Sequence, residues 1–405
     1  MTIKEPFEGL KVLDFSWVAV GPMSIRFLAD YGATVVRVES INTPDPIRTS
    51  PPFKDNVAGI NRGGFFIQYH PNKYSIALNM KHPKGAEIAR KLAAWADVVA
   101  ESFTPGTMEK YGLGYEDLRK MKPDIIMYRT CNQGQTGPHS KHPGLGAQLV
   151  GLSGFTHLTG WPDREPTQPF GAYTDWASLC FGAIILLAAL DYRRQTGKGQ
   201  CIDLSQLEAS LHAITPLILD YQANGRDGKR MGNASPRAAP HGAYRCQGDD
   251  RWCTIAIFND DEWQAFCEVI GNPDWTKEAR FSTLLGRKEN EEELNRLVEE
   301  WTANYPPEEV MTSLQASGVP SGVVADGRDL YEDPQLWHRQ AFWMMDHKEI
   351  GAYPHLGQPF NLSESTAIPK MPTACLGEHT EYVCKEILGL PEEEFVELLI
   401  DGVFE

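Results

Sequence analysis

The chain has 405 residues, 42% of them hydrophobic and 23% charged; this excludes wholesale disorder, and the length exceeds what one hydrophobic core usually serves, so two domains are expected. A formal charge of −16 excludes a nucleic-acid or anionic-membrane surface, which needs concentrated Lys and Arg, and leaves any anionic ligand dependent on a local basic pocket. The opening MTIKEPFEGLKVLDF has no cleavable leader pattern and the longest apolar stretch, residues 181–190, is too short to span a bilayer, so no membrane partner and a cytoplasmic location are expected.

In chain order, GLKVLDFS reads as a strand, Gly21-Pro22 opens a helix through Ile25, Leu28 and Ala29 that ends near Gly32, and ATVVRVE reads as a second strand. Strand, helix and strand in about forty residues predict a right-handed βαβ unit with parallel strands. The alternation continues with YSIALNM as strand, Pro83 to Trp95 as helix, and DVVAES and IIMYRTC as strands. WASLCFGAIILLAALDYRR then reads as a helix buried on most sides and closed by Thr196-Gly197-Lys198-Gly199, followed by a strand over 200–204 and a further helix. The expected fold class is therefore α/β, a Rossmann-like large domain built on a parallel sheet over residues 1–224. A polar loop, GRDGKRMGNASPRAAPHG, opens a smaller α+β domain over 225–330, with strands at YRCQG and WCTIAIF and Glu-rich helices. Residues 331–405 are expected to return to the large domain.

Asp175 stands at the start of the long apolar helix, where two readings are open. It can be an N-cap, accepting backbone N–H bonds at the positive end of the helix dipole. It can also be a nucleophile, with the same free N–H groups stabilising the oxyanion formed when a thioester carbonyl is attacked. The first βαβ turn, Trp17-Val18-Ala19-Val20-Gly21-Pro22, lacks the G-x-G-x-x-G through which pyrophosphate approaches the backbone, so no nicotinamide or flavin is expected. The eight cysteines form no C-x-x-C pair, and the histidines form no H-E-x-x-H, so no metal is expected; no Ser lies in a G-x-S-x-G elbow.

Taken together, GLKVLDFSWVAVGP, LADYGATVVRVE, PDPIR, NKYSIALNMKHPKG, ADVVAESFTPGTMEKYGLGYEDL, GAYTDWASLCFGAIILLAAL, TGKGQCIDLS, GVPSGVV, LYEDPQL and LGEHTEYV occur in an order and spacing that resemble the class III CoA-transferases, a family that includes the formyl-CoA:oxalate and crotonobetainyl-CoA:carnitine enzymes. The resemblance covers nearly the whole chain. It implies coenzyme A as substrate, acyl-CoA and carboxylic acids as partners, and Asp175 as the nucleophile that carries aspartyl anhydride and aspartyl-CoA thioester intermediates in a dry pocket. It also implies an interlocked dimer, made either of two identical chains or of this chain and a related one.

Carried over position by position, the resemblance places CoA contacts at Ala19 and Val20 after the first strand, and at Ser40 where the family often has a basic residue. Arg37 is then the nearest substitute for a phosphate contact. Further contacts are implied at Leu78 and Lys81, at Ser102, Phe103 and Thr104, at Lys110, and at His142 and Leu145. Trp17, Tyr173 and Trp176 are candidate substrate-binding residues. HPGLG departs from the family's R-P-G-Y-D, with Gly146 in place of the acid, which suggests room for a larger or charged acyl group. The glycine-rich lid of oxalate-active members is replaced by NASPRAAPHG, so oxalate is not expected, and a succinate-type or substituted dicarboxylate, as in the benzylsuccinate branch, is the expected acceptor class. Two alternatives remain at this stage. An α-methylacyl-CoA racemase needs a second base where this chain has Leu145, and a non-catalytic subunit of a heteromeric transferase would not need Asp175.

Overall fold

The computed structural model describes residues 5–405. Short runs rich in Val, Ile and Leu become six strands: β1 (Lys11–Asp14), β2 (Thr34–Glu39), β3 (Lys73–Ala77), β4 (Val98–Glu101), β5 (Ile126–Cys131) and β6 (Cys201–Ser205). They form one sheet in the order β3-β2-β1-β4-β5-β6, and every neighbouring pair is parallel. A parallel sheet is covered on both faces, which is why its central strands are apolar throughout rather than alternating; all four residues of β4 are buried. On one face Leu13, Val36, Ile76, Val99 and Met127 pack against the helix Pro83–Trp95 and the C-terminal residues Phe395, Leu398 and Val403. On the other, Val12, Val35, Ala100 and Tyr128 meet the helices Val20–Asp30 and Tyr173–Thr196. The α/β, Rossmann-like expectation holds. The strand order reverses between β1 and β4, so the loops leaving those two strands diverge and open a crevice at the carboxyl edge of the sheet.

The chain divides into two compact units. The first contains residues 5–155, 169–226 and 337–405, the second residues 156–168 and 227–336. The C-terminal segment of the first unit is tied to the β3 edge by hydrogen bonds from His379 N to Ser75 O (2.9 Å) and from Asn79 N to Val403 O (2.9 Å). It also contributes an antiparallel hairpin, β10 (Phe342–His347) with β11 (Gly351–Leu356). The second unit is α+β: β7 (His241–Arg245), β8 (Trp252–Ala256) and β9 (Ser321–Val323) form an antiparallel sheet. Its core joins Ile255, Ile257, Trp263, Phe266, Phe281, Leu294 and Leu314. The segment 156–168 falls in the range read from sequence as the first domain, yet it groups with the second unit. Hydrogen bonds fix it there, with Gly232 N donating to Gly160 O (2.9 Å) and the Arg230 side chain, through Nη1, to His157 O (3.0 Å).

Two expectations about the long helix are corrected. It starts at Tyr173, two residues before Asp175, with Ala172 as N-cap and no side-chain cap; the Asp175 N–H closes the first turn on Ala172 O (2.9 Å), so Asp175 is not the cap. Nor is it buried on most sides: Thr174, Asp175, Ser178, Gly182, Leu186 and Ala189 form the one buried stripe, while Trp176, Ile184, Ile185, Leu187 and Tyr192 are exposed. By length and composition alone its 24 residues would suffice to cross a membrane, a test that core helices of soluble proteins also pass.

The buried stripe is set by a close approach to the helix Val20–Asp30. A Cβ on Gly182 would lie 2.3 Å from Ser24 Oγ and 2.4 Å from Tyr128 Oη, two hydroxyls already bonded to each other at 3.1 Å. Only a glycine permits that contact, and the contact places Asp175 two turns upstream. Gly182→Ala is therefore expected to overpack the junction and destabilise the protein by about 1–3 kcal/mol, measured by chemical denaturation.

Candidate active site

Asp175 lies on the wall of a cavity of about 250 Å³ at the carboxyl edge of the sheet, lined also by Trp17 to Gly21, Pro46, Ser102 to Pro105, Cys131 to Gln133, Ser140, His142 to Gly146 and Gln206. The loop after β1, the loop after β4, the end of β5 and the first residue after β6 converge there, as the reversal of strand order requires. Six acidic side chains are buried among the described residues: Asp14, Asp30, Glu39, Asp45, Glu101 and Asp175. Five of them face a cation: Asp14 faces Lys73 (2.9 Å), Asp30 faces Arg26 (3.1 Å), Glu39 faces Arg48 (2.7 Å), Asp45 faces Arg37 (2.7 Å) and Glu101 faces Arg129 (2.7 Å). Asp175, 7% exposed, has no such partner among the described residues. Burial alone pushes its pKa up to about 6.

That environment separates it from the other acids. Burial also opposes the charge of Glu39, but Arg37 and Arg48 outweigh it and hold that carboxyl at about 2. A buried carboxylate with no cation to stabilise it is a poor structural residue and a reactive nucleophile. Tyr69, packed edge-on to Trp176 at 6.5 Å, has its phenol pushed up to about 12 by burial and by the charge of Asp175. Cys131, the one thiol among the described lining residues, has its pKa pushed up by burial and by Asp203, so it stays protonated and less reactive.

The loop after β1 is held by buried charges. Arg37 donates to Ser16 O (2.5 Å) and to Asp45 (2.7 Å), and Asp45 accepts the Val18 N–H at 3.1 Å. Val18 has φ 66°, a left-handed conformation that is costly for a β-branched residue. Ser102 Oγ accepts the Trp17 N–H (2.8 Å) and binds the loops after β1 and β4 together. The Trp17 ring stands edge-on to Phe103 at 5.3 Å. Beyond that pair lies a second cavity of about 500 Å³, lined by Phe15, Trp17, Val38 to Ser40, Asn42, Thr43, Leu78 to Lys81, Phe103, Thr107, Met108 and Tyr111.

Of the residues singled out in the sequence, Trp17, Ala19, Val20, Ser102, Phe103, Thr104, His142, Leu145 and Asp175 line the first cavity, while Ser40, Leu78 and Lys81 line the second, together with Trp17 and Phe103. Arg37 must be corrected as a phosphate contact. It is 1% exposed and its guanidinium is spent on Ser16 and Asp45. Lys110 is exposed in the short turn Glu109–Tyr111 and lines neither cavity. Tyr173 and Trp176 line neither as well: at 100° per residue, positions two before and one after Asp175 point away from its direction. Tyr173 rests on Phe155 (5.1 Å) and Trp176 is about half exposed. Gly146 does not open space for a larger acyl group, because a Cβ there would lie 2.8 Å from Asp175 Oδ1 and 2.3 Å from Ala172 Cβ. Asn132, Gln133 and Gln206 were missed; their positions just after β5 and β6 mark them once the strand order is known.

Comparison with known proteins agrees with this architecture. The family profile described as CoA-transferase family III matches residues 7–380. Succinyl-CoA:glutarate CoA-transferase of Mus musculus is 31% identical over 402 residues, which cover 99% of this chain and 91% of that protein. The succinyl-CoA–L-malate CoA-transferase beta subunit of Chloroflexus aurantiacus is 30% identical over 97% of this chain and 96% of its own length. A crystal structure of a CAIB/BAIF family protein from Brucella suis superposes with a TM-score of 0.87 at 31% identity, covering 95% of this chain and all of that one.

The raised pKa of Asp175 makes a stability prediction. A carboxyl at about 6 when folded, against 3.8 when unfolded, binds its proton more tightly in the folded state, so wild-type stability falls as pH rises from about 4 to about 6 and then levels off. Asp175→Asn removes this burden. Thermal melts should show the variant more stable than wild type by about 2–3 kcal/mol at pH 7.5, with the gain vanishing near pH 4.

Proposed function

The chain belongs to CoA-transferase family III, and on that premise we propose that it transfers CoA from an acyl-CoA to a dicarboxylic acid, with Asp175 as the covalent nucleophile. The observation that carries the reading is the uncompensated burial of Asp175 at the edge of a small cavity. The relatives named for glutarate and malate motivate succinyl-CoA as donor and a C4 or C5 diacid as acceptor.

In the proposed sequence an Asp175 oxygen attacks the donor thioester carbon, the C–S bond breaks, and CoA leaves as thiolate with an acyl-aspartyl anhydride behind it. The thiolate then attacks the aspartyl carbonyl, releasing the donor acid and leaving an aspartyl-CoA thioester. The acceptor carboxylate attacks that thioester, and the returning thiolate takes the new acyl group and restores the Asp175 carboxylate. Negative charge on the attacked carbonyl oxygen requires donors. Val20 and Gly21 line the cavity at the first turn of an 11-residue helix whose N-cap, Ala19, makes no side-chain bond, so their N–H groups and the helix dipole suit that role. Water must be kept out, because it would hydrolyse either activated intermediate.

For CoA itself, the reading places the nucleotide in the larger cavity, with Lys81, the one Lys, Arg or His among its described lining residues, toward phosphate. The pantetheine arm then passes Trp17 and Phe103, the residues the two cavities share. The racemase reading is disfavoured because Leu145 offers no base, and the non-catalytic reading because Asp175 is retained in a built environment. The exposed apolar side of the helix Tyr173–Thr196 and the exposed Leu217, Ile218, Leu219 and Tyr221 of the helix Thr215–Asn224 suit burial against a second chain, in keeping with an interlocked dimer.

Asp175→Ala should lower CoA transfer between succinyl-CoA and a panel of acids by at least about a thousandfold, with products read by mass; retention of activity would remove the nucleophile from this residue. Sedimentation equilibrium of the purified chain should give twice the mass of one chain, and a stable monomer would contradict a dimer of identical chains.

A further inference from the structure

The cavity beside Asp175 carries, among its described lining residues, one acid and one side chain able to hold positive charge, His142. The rest of the wall is apolar (Trp17, Val18, Pro46, Phe103) or neutral and polar (Ser102, Asn132, Gln133, Gln206). At about 250 Å³ it is smaller than the usual pocket for a drug-sized ligand, so it suits a short acid. A dicarboxylic substrate brings one carboxylate to the acyl exchange and a second that takes no part in it. That second carboxylate cannot leave water beside the uncompensated charge of Asp175 without a donor of its own.

We propose that His142 is a specificity-determining residue that receives the non-reacting carboxylate of the dicarboxylic substrate. The inference rests on the transferase reading and goes beyond it by naming the group that distinguishes diacids from monoacids. The imidazole stands in a defined turn. Its backbone N–H donates to His139 O (2.9 Å) and its ring lies 4.6 Å from that of His139. Gly144, two residues on, packs so closely on Asn132 that a Cβ would lie 2.5 Å from Nδ2. An imidazole donates an N–H whether neutral or protonated, so it can hold a carboxylate in either form. Monocarboxylic acids have no group to place there.

The test compares wild type, His142→Gln and His142→Arg with succinyl-CoA, and separately propionyl-CoA, as saturating donor, and with glutarate or butyrate as acceptor. Under propionyl-CoA, His142→Gln should raise the KM for glutarate by roughly tenfold or more, the loss of one charge-assisted hydrogen bond, and leave that for butyrate within about twofold. His142→Arg should restore the glutarate KM. An unchanged glutarate KM in His142→Gln overturns the proposal, and so does an equal loss with both acids, which would place His142 on CoA. A wild-type protein that transfers CoA to none of these acids would instead overturn the transferase reading, and this inference with it.

Discussion

The site depends on one electrostatic constraint: a carboxylate taken out of water and given no cation. Every other buried acid among the described residues is matched, and the contrast between Glu39, held at about 2, and Asp175, raised to about 6, shows how one fold sets two carboxyls apart by their neighbours alone. An unpaired buried carboxylate works against stability. The fold offsets it through the packing of the helix that carries it, with Gly182 seated against Ser24 and Tyr128 and Leu186 and Ala189 in the core.

The matched charges have a different role. Asp14, Arg37 and Glu39 lie toward the carboxyl ends of β1 and β2, Asp45 and Arg48 in the segment after β2, and Lys73 at the start of β3, and all six are buried. Removing one partner from such a network leaves an unpaired buried charge, a loss of several kcal/mol, so the set behaves as a unit. Its outcome is a rigid rim: Asp45 holds the Val18 backbone left-handed, and Arg48 lies over the Phe66 ring at 3.7 Å. Strain of about 1–3 kcal/mol at such a residue persists only where its surroundings over-determine it. Here it shapes the wall that Val18 contributes to the cavity.

What could be read from the sequence was mainly what is encoded locally. The helix Pro83–Trp95 has its Pro at the first position and its apolar spacing on one side, and the structure reproduces both ends; Gly197 stops the long helix in a left-handed conformation. The parallel strands were legible because β-branched runs alternate with helical ones. Errors arose where the outcome is set by neighbours distant in sequence. Arg37 looks like an available cation until the sheet register puts it beside Asp14. Tyr173 and Trp176 look like site residues because they are next to Asp175 in sequence, and the helix turns them elsewhere. Asn132 and Gln206 carry no local sign; they reach the cavity because β5 and β6 end at the same edge. The uncompensated state of Asp175 could not be read from the sequence at all, since it consists in the lack of a nearby cation in space.

The central claim is that Asp175 is itself part of the bond-making sequence, and isotope transfer tests it most directly. With an acceptor acid labelled with ¹⁸O in its carboxylates, each completed cycle through an aspartyl anhydride leaves one acceptor oxygen on Asp175. Mass spectrometry of the peptide containing Asp175 should therefore show a gain of one ¹⁸O after a single turnover and of a second on repeated turnover, because each cycle passes one aspartyl oxygen to the departing donor acid. CoA transfer that proceeds with that peptide unlabelled would contradict the account, because the acyl group would then have moved without bonding to this carboxylate.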